Sequence, residues 1–207
     1  MTRVVCATRN PGKVRELRAL LADVPDLVLV GLDEMPAIAD VIEDGVTFEA
    51  NAIKKAREVA HATGMLALAD DSGIEVDALG GRPGVRSARY AGEGATDADN
   101  NAKLLAELRG VSNDARTARY RVVLAFADPT GALGERVHTE TGTCEGRIRD
   151  APAGNGGFGY DPHFVPAGYE RTMAELTAAE KNRISHRGEA ARKMARFLAA
   201  YLSTSTR

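Results

Sequence analysis

The stretch Arg3-Val4-Val5-Cys6-Ala7-Thr8-Arg9-Asn10-Pro11-Gly12-Lys13-Val14-Arg15-Glu16-Leu17-Arg18-Ala19-Leu20-Leu21 changes its hydrophobic period midway. Arg3–Thr8 is a run of β-branched and small residues, which reads as a short buried strand, whereas Val14, Leu17, Leu20 and Leu21 recur at helical spacing after Asn10-Pro11-Gly12. The chain therefore opens strand, tight turn, helix. Leu27–Val30 is a second short strand. Thr47 is placed to cap a helix with the apolar stripe Phe48, Ala52, Ala56, Val59 and Ala60, ending near Gly64, and Met65–Ala69 returns as a strand. After Asp70-Asp71-Ser72-Gly73, Ile74–Val76 is again strand-like, Leu79–Val85 reads as a loop, and a polar helix is expected from about Thr96 to Leu108. Thr117–Asp128 and Leu133–Arg147 flank the turn signal Pro129-Thr130-Gly131 and predict an antiparallel hairpin. A last helix from about Ser185 carries Ala190, Ala191, Met194, Phe197, Leu198, Tyr201 and Leu202 on one face, with a polar tail after Leu202. The expectation is an α/β fold with a mixed sheet, in one continuous domain over residues 1–207.

The composition fits a chain that builds its own core. With 207 residues, of which 44% are hydrophobic, folding should bury roughly 70% of the unfolded chain's surface, so neither a disulfide nor a structural metal is needed. Cys6 and Cys144 lie in no metal-ligand spacing and read as reduced packing residues. Lys plus Arg number 27 against 29 Asp plus Glu, a formal charge of −2, which argues against a nucleic-acid partner and for a small, locally held anion if any. No stretch approaches the roughly 18 apolar residues of a membrane span, and no signal-peptide pattern opens the chain, so a cytoplasmic location is expected.

Four segments carry the residue types of chemistry. Thr8 to Lys13 runs from a strand end into a helix N-terminus, where backbone N–H groups and the helix dipole favour phosphate; Lys13 adds charge, and Thr8 and Asn10 add neutral donors. It is no P-loop, because the first glycine is absent and Val14 stands where a Ser or Thr would hold magnesium. Asp70 and Asp71 are adjacent carboxylates at the end of a small apolar strand. Keeping both ionised side by side calls for a cation, so the pair suits a magnesium ligand plus a general base, against the plainer reading of an Asp-Asp-Ser-Gly turn. Gly154 to Pro162 holds four glycines within six residues and two of the ten aromatics; Phe158 is available to stack on a flat ring, and Asp161 before Pro162 to accept hydrogen bonds. Lys181, His186 and Arg187 lead into the last helix, where positive charge opposes the dipole and invites an anion or a ring carbonyl, unless they form only a solvated basic patch.

Taken in order, Ala-Thr-Arg-Asn-Pro-Gly-Lys at 7–13, Thr-Phe-Glu-Ala-Asn-Ala at 47–52, Ala-Asp-Asp-Ser-Gly at 69–73, Gly-Gly-Phe-Gly-Tyr-Asp-Pro at 156–162 and Ser-His-Arg-Gly at 185–188 closely resemble the inosine/xanthosine triphosphate pyrophosphatase family. These house-cleaning hydrolases convert non-canonical purine nucleoside triphosphates to monophosphate and pyrophosphate. The resemblance implies an elongated mixed sheet with helices forming two lobes around a cleft, a homodimer, and dependence on Mg2+. It implies that Thr8, Arg9, Asn10, Pro11, Gly12, Lys13 and Lys55 cradle the triphosphate, that Glu43 and Asp71 hold the metal, and that Asp71 is the proton acceptor. Ser72 then contacts substrate; Phe158, Gly159, Tyr160 and Asp161 form the base and sugar pocket; Lys181, His186 and Arg187 close over the nucleotide.

Two positions depart from that pattern. Arg9 stands where the family usually has Gly, so the turn must tolerate a side chain there or present the guanidinium to a phosphate. Ala50 stands where a Glu would complete a capping box with Thr47, and a Glu appears at 49 instead. The implied mechanism is in-line attack of water on a phosphoryl group, with donors such as His186 and Arg187 selecting the 6-oxo group of hypoxanthine and xanthine over the amino group of adenine. The nearest enzyme alternative, a septum-inhibitor-type pyrophosphatase acting on modified pyrimidine triphosphates, need not carry Ser-His-Arg before the last helix. A nucleotide-binding regulator would need the phosphate loop and aromatic pocket but not Asp71.

Overall fold

In the computed structural model, residues 1–35 and 38–205 are described. Strand β1 (Thr2–Cys6) runs through the predicted turn into helix α1 (Pro11–Leu20), with Pro11 at the first helical position, where its missing N–H costs nothing. Strand β2 (Leu27–Gly31) follows, and then helix α2 (Phe48–Thr63). Thr47 Oγ1 accepts from the Ala50 N–H at 3.1 Å, and Gly64 ends α2 at φ 65°. With Ala at 50 the cap lacks its second half, and the Glu49 carboxylate instead accepts from Thr139 Oγ1 at 3.3 Å.

Strand β3 (Leu66–Val76) corrects the reading of two strands separated by Asp-Asp-Ser-Gly: the polar residues lie inside one continuous strand of 11 residues. Buried carboxylates are tolerated in a strand interior only when charge-paired, and both aspartates are. The polar helix expected from about Thr96 to Leu108 is α3 (Asp97–Glu107), with Thr96 as its N-cap, and β4 (Thr117–Asp128) and β5 (Gly134–Ile148) are sheet neighbours joined by residues 129–133. So short a link suits only an antiparallel pair, since a parallel crossover takes about a dozen residues or more. A short strand β6 (Phe164–Pro166) pairs antiparallel with β5, and its proline is accommodated because β6 is the edge strand. Helix α4 (Ala178–Ile184) was not expected; a capping box of Thr177 and Glu180 starts it, and extended Ser185 separates it from α5 (His186–Ser205). The expected polar tail is thus helical through Ser205, and Thr206 and Arg207 lie outside the described residues.

The sheet has the order β2-β1-β3-β4-β5-β6, with β1 parallel to both β2 and β3, so it is mixed. The chain packs as two compact units: Met1–Asp71, Val122–Thr141 and Arg187–Arg207 in one, and Ser72–Arg121 with Gly142–His186 in the other. The core of the first unit joins Val14, Leu17 and Leu21 of α1 to Val4, Leu68, Leu124 and Phe126 and to Met194, Leu198 and Leu202 of α5. Burying those three large α5 side chains is worth roughly 5–9 kcal/mol before chain entropy is counted, enough to fix the helix by packing rather than propensity. The second unit has its own core of Ile74, Val76, Leu104, Leu108, Ile148, Phe164 and Met173. Both cysteines are free thiols in the interior, and burial pushes the Cys6 thiol up to about 12. Among the described residues no helix is long and apolar enough to cross a membrane.

Candidate active site

In the first unit the turn between β1 and α1 is held by its own side chains. Thr8 Oγ1 accepts from the Asn10 N–H at 3.2 Å, and Asn10 Oδ1 accepts from the N–H groups of Gly12 at 2.8 Å and Lys13 at 3.2 Å. The expectation that these N–H groups face an anion directly is therefore corrected: the Asn10 amide already caps them. What the turn presents to a phosphate is side-chain donors and the lysine. Arg9 departs from glycine without strain, since its φ is not positive, and its guanidinium donates to Asp40 at 2.6 Å and to the Ile38 carbonyl at 2.6 Å.

Consecutive residues of a strand point to opposite faces, and this separates the two aspartates of β3. Asp70 is fully buried and meets Lys13 Nζ at 2.6 Å and Arg187 Nε at 2.7 Å, while Arg187 Nη1 donates to Glu16 at 2.5 Å. Asp71 meets Lys55 Nζ at 3.0 Å, and the same ammonium donates to Glu43 at 2.7 Å and to the Asp70 carbonyl at 2.9 Å. Burial pushes the Asp70 carboxyl up, but Arg187 and Lys13 outweigh it and hold Asp70 well below the usual carboxylate range. Burial also pushes Asp71 up, and there Lys55 and Lys13 do not fully compensate, so its carboxyl stays above the ordinary value. Lys55 is desolvated too, yet Asp71 and Glu43 raise it on balance and keep it an ammonium. Two neighbouring carboxylates driven in opposite directions mark one as a fixed anion and the other as a candidate acid or base. The anion invited by Arg187 is supplied by the chain itself, because its Nε, Nη1 and Nη2 all donate to Asp70 or Glu16.

The donor set suits a hard cation. Asp71 Oδ2 is buried without a hydrogen-bond partner, and Glu43 shares Lys55 with it. Among the described residues no group of three or more His, Cys, Asp and Glu is assembled as a metal cage. Glu43 is brought to Lys55 by Asn51, whose fully buried amide accepts from the Gly45 N–H at 2.8 Å and donates to the Gly45 carbonyl at 3.3 Å. Asn51 was missed by sequence reasoning, although the signal was there: Asn51 and Lys55 are polar residues on the same helical face as Phe48, Ala52, Ala56 and Val59.

In the second unit the glycine-rich segment wraps a buried ion pair. Lys181 Nζ donates to Asp161 at 2.7 Å and lies 5.0 Å from the centroid of the half-buried Phe158 ring. Asp161 also accepts from the Phe158 N–H at 3.0 Å and from the Tyr120 hydroxyl. A Cβ at Gly157 (φ 71°) would sit 2.0 Å from Asp161 Oδ2, so only glycine fits there. Tyr160 turns inward, its hydroxyl donating to the Ser87 carbonyl at 2.8 Å, and His186 is buried with its ring stacked on Tyr120 at 4.7 Å. Ser72 is half-buried in β3. Asp97 and Asn101 of α3, which the sequence did not single out, both bond the backbone of Gly159.

The expected residues thus fall into three sets: Lys13 with Arg187 around Asp70, Glu43 with Asp71 around Lys55, and Phe158 with Asp161 around Lys181. The model of the Ham1 family matches residues 4–197. The chain is 54% identical to a dITP/XTP pyrophosphatase of Desulforamulus reducens over 95% of each chain, and 47% identical to one of Bacillus subtilis over 97% of this chain and 98% of that one. Among solved structures it superposes on the Staphylococcus aureus Ham1 protein with a TM-score of 0.83 at 38% identity, covering 97% of this chain and all of the other. A match over nearly the whole chain in both sequence and structure leaves one conclusion, that this chain belongs to the Ham1 family.

Proposed function

We propose that residues 1–207 work as one enzyme domain that hydrolyses non-canonical purine nucleoside triphosphates, those of inosine, deoxyinosine and xanthosine, to the monophosphate and pyrophosphate. The observation that carries this reading is the pair of adjacent aspartates: Asp70 locked as an anion between Lys13 and Arg187, and Asp71 buried, raised, and with one oxygen lacking a partner beside Lys55. A buried carboxylate raised above its ordinary value is a better proton acceptor than a solvated one, and here it takes the proton of the attacking water. Thr8, Asn10, Lys13 and Lys55 take the triphosphate, with Arg9 held back by Asp40 and Pro11 and Gly12 shaping the turn. Their positive charge meets negative charge as it develops on the transferred phosphoryl and the leaving pyrophosphate.

Glu43 and Asp71 are the residues that would hold magnesium, which would supply further charge neutralisation and polarise the phosphoryl oxygens. Phe158 stacks on the base, with Gly159 and Asp161 lining the pocket, Tyr160 anchoring it from inside, and Lys181 and His186 offering donors to a 6-oxo group. Ser72 contacts the nucleotide. Arg187 acts at one remove, by keeping Asp70 ionised and Lys13 in place. A homodimer, a cytoplasmic location and the absence of a nucleic-acid partner belong to the same proposal and rest on the family likeness and the near-neutral charge of −2.

The test is product analysis with magnesium and, in parallel, the triphosphates of inosine, xanthosine, guanosine, adenosine and thymidine. Pyrophosphate plus monophosphate from inosine and xanthosine triphosphates, with little from the others, is the expected result. Orthophosphate as product, or equal turnover of all five, would remove the assignment.

A further inference from the structure

We infer that Asp97 and Asn101, on the first turns of α3, are positioning residues that set the plane of Phe158 and so govern affinity for the nucleobase. The inference rests on the reading of Phe158 as the base-stacking residue. Gly159 follows Phe158 directly and adopts φ 65°, a conformation with little steric preference of its own, so the peptide there must be fixed from outside. Both of its backbone polar groups are gripped by α3: the N–H donates to Asp97 Oδ2 at 2.6 Å, and the carbonyl accepts from Asn101 Nδ2 at 2.9 Å.

The two side chains stand one helical turn apart on the same face, so a single rigid helix holds both ends of one peptide residue. Asn101 Nδ2 also donates to the Asp97 carbonyl at 2.8 Å, which fixes its amide with the nitrogen toward two carbonyls. On either side of this clamp the segment is tied independently, the Phe158 N–H to Asp161 and the Tyr160 hydroxyl to the Ser87 carbonyl. The Phe158 ring therefore hangs from a backbone with three fixed points, and α3 supplies the one nearest its carbonyl side. None of these contacts touches a phosphate-holding residue, which makes the effect separable from triphosphate binding.

The experiment compares the full-length wild-type chain with Asn101→Ala, Asn101→Asp, Asp97→Ala and Asp97→Asn. It reads KM and kcat for inosine triphosphate, and the inhibition constant of inorganic tripolyphosphate, a probe with no base. Loss of one clamp should raise KM about five- to tenfold, the worth of one hydrogen bond, with kcat changed less than about threefold and tripolyphosphate inhibition unchanged. Asp97→Asn keeps an acceptor for the Gly159 N–H and should restore KM to near the wild-type value. Asn101→Asp, which turns a carboxylate oxygen toward two carbonyls, should be at least as impaired as Asn101→Ala. A wild type active on inosine triphosphate whose KM is unmoved by Asn101→Ala and Asp97→Ala would overturn the inference alone. Equal weakening of tripolyphosphate and nucleotide would overturn it too, as a merely structural effect. A wild type with no turnover of any 6-oxopurine triphosphate would remove the functional reading and this inference with it.

Discussion

Replacing Arg187 by Met keeps most of the side chain's length and removes the guanidinium that pairs with Asp70 and Glu16. In the native structure the Arg187 side chain is 2% exposed and that of Asp70 is 0%, so the substitution strands a fully buried carboxylate whose other charged partner is Lys13 at 2.6 Å. Breaking a buried pair by removing one partner costs about 3–5 kcal/mol. The surviving Lys13 contact places the expected loss at the lower end, about 3 kcal/mol. With an m-value of about 2–3 kcal/mol/M in urea for a chain of this size, the midpoint of the transition that unfolds the first unit should fall by about 1 M. The sign of the pH dependence follows from the direction of the Asp70 shift: its carboxyl is depressed in the fold, so the stabilisation it confers is present above the unfolded value near about 4 and is lost as pH falls through the folded one. The gap between wild type and Arg187→Met should therefore be constant from about pH 8 to about pH 5 and close below about pH 4. Asp70→Asn combined with Arg187→Met should lose less than the sum of the single losses by at least about 1 kcal/mol, because each single variant leaves a charge unmatched. A midpoint for Arg187→Met within about 0.3 M of wild type at unchanged m, or a gap that widens in acid, would refute the reasoning.

Asp71→Asn should lower kcat by about 10²–10⁴, the range for a displaced general base, while equilibrium binding of inosine triphosphate changes only a few-fold; wild-type turnover would end the proton-acceptor assignment. Gly157→Ala should lower stability by about 1–3 kcal/mol and raise KM, since the new methyl would meet Asp161 Oδ2 at 2.0 Å and force apart the pair with Lys181, and a thermal melt within about 1 °C of wild type would count against this. Glu180, which Arg171 and the Thr177 cap hold down to about 2, should titrate there in a carbon-detected NMR series, and Arg171→Ala should move its midpoint toward 4.5; a native midpoint already near 4.5 would show that the cap does not form in solution.

What was legible in the sequence was whatever repeats with a fixed period. The stripes predicted for α2 and α5 are the residues that pack, and Thr47 caps the helix its identity announced, whereas Asn10, read as a donor to an anion, turns its amide oxygen to capping α1. Strand β3 was misread because Asp70-Asp71-Ser72-Gly73 has the composition of a turn, and local composition cannot reveal that Lys13, Lys55 and Arg187, from three distant segments, neutralise both carboxylates. Helix α4 was missed for the opposite reason: it is too short to show a period, and its start signal, Thr177 with Glu180, lies just ahead of the residues that were read for their charges, Lys181, His186 and Arg187.

The candidate site divides in the same way. The adjacent aspartates were legible as a place where charge must be managed, but their division of labour was not, because it depends on the alternation of a strand that the sequence seemed to interrupt. Once β3 is continuous, the alternation sends Asp70 to two cations and Asp71 to one shared ammonium beside Glu43, and with both carboxyls pushed up by burial the cations outweigh it at Asp70 and not at Asp71. The clamp on Gly159 is harder still to read, since Asp97 and Asn101 look like ordinary polar residues of an exposed helix. Their role exists only in the hydrogen bonds they make to a peptide some 60 residues away in sequence, and a bond to backbone leaves no mark on the identity of the residue that receives it.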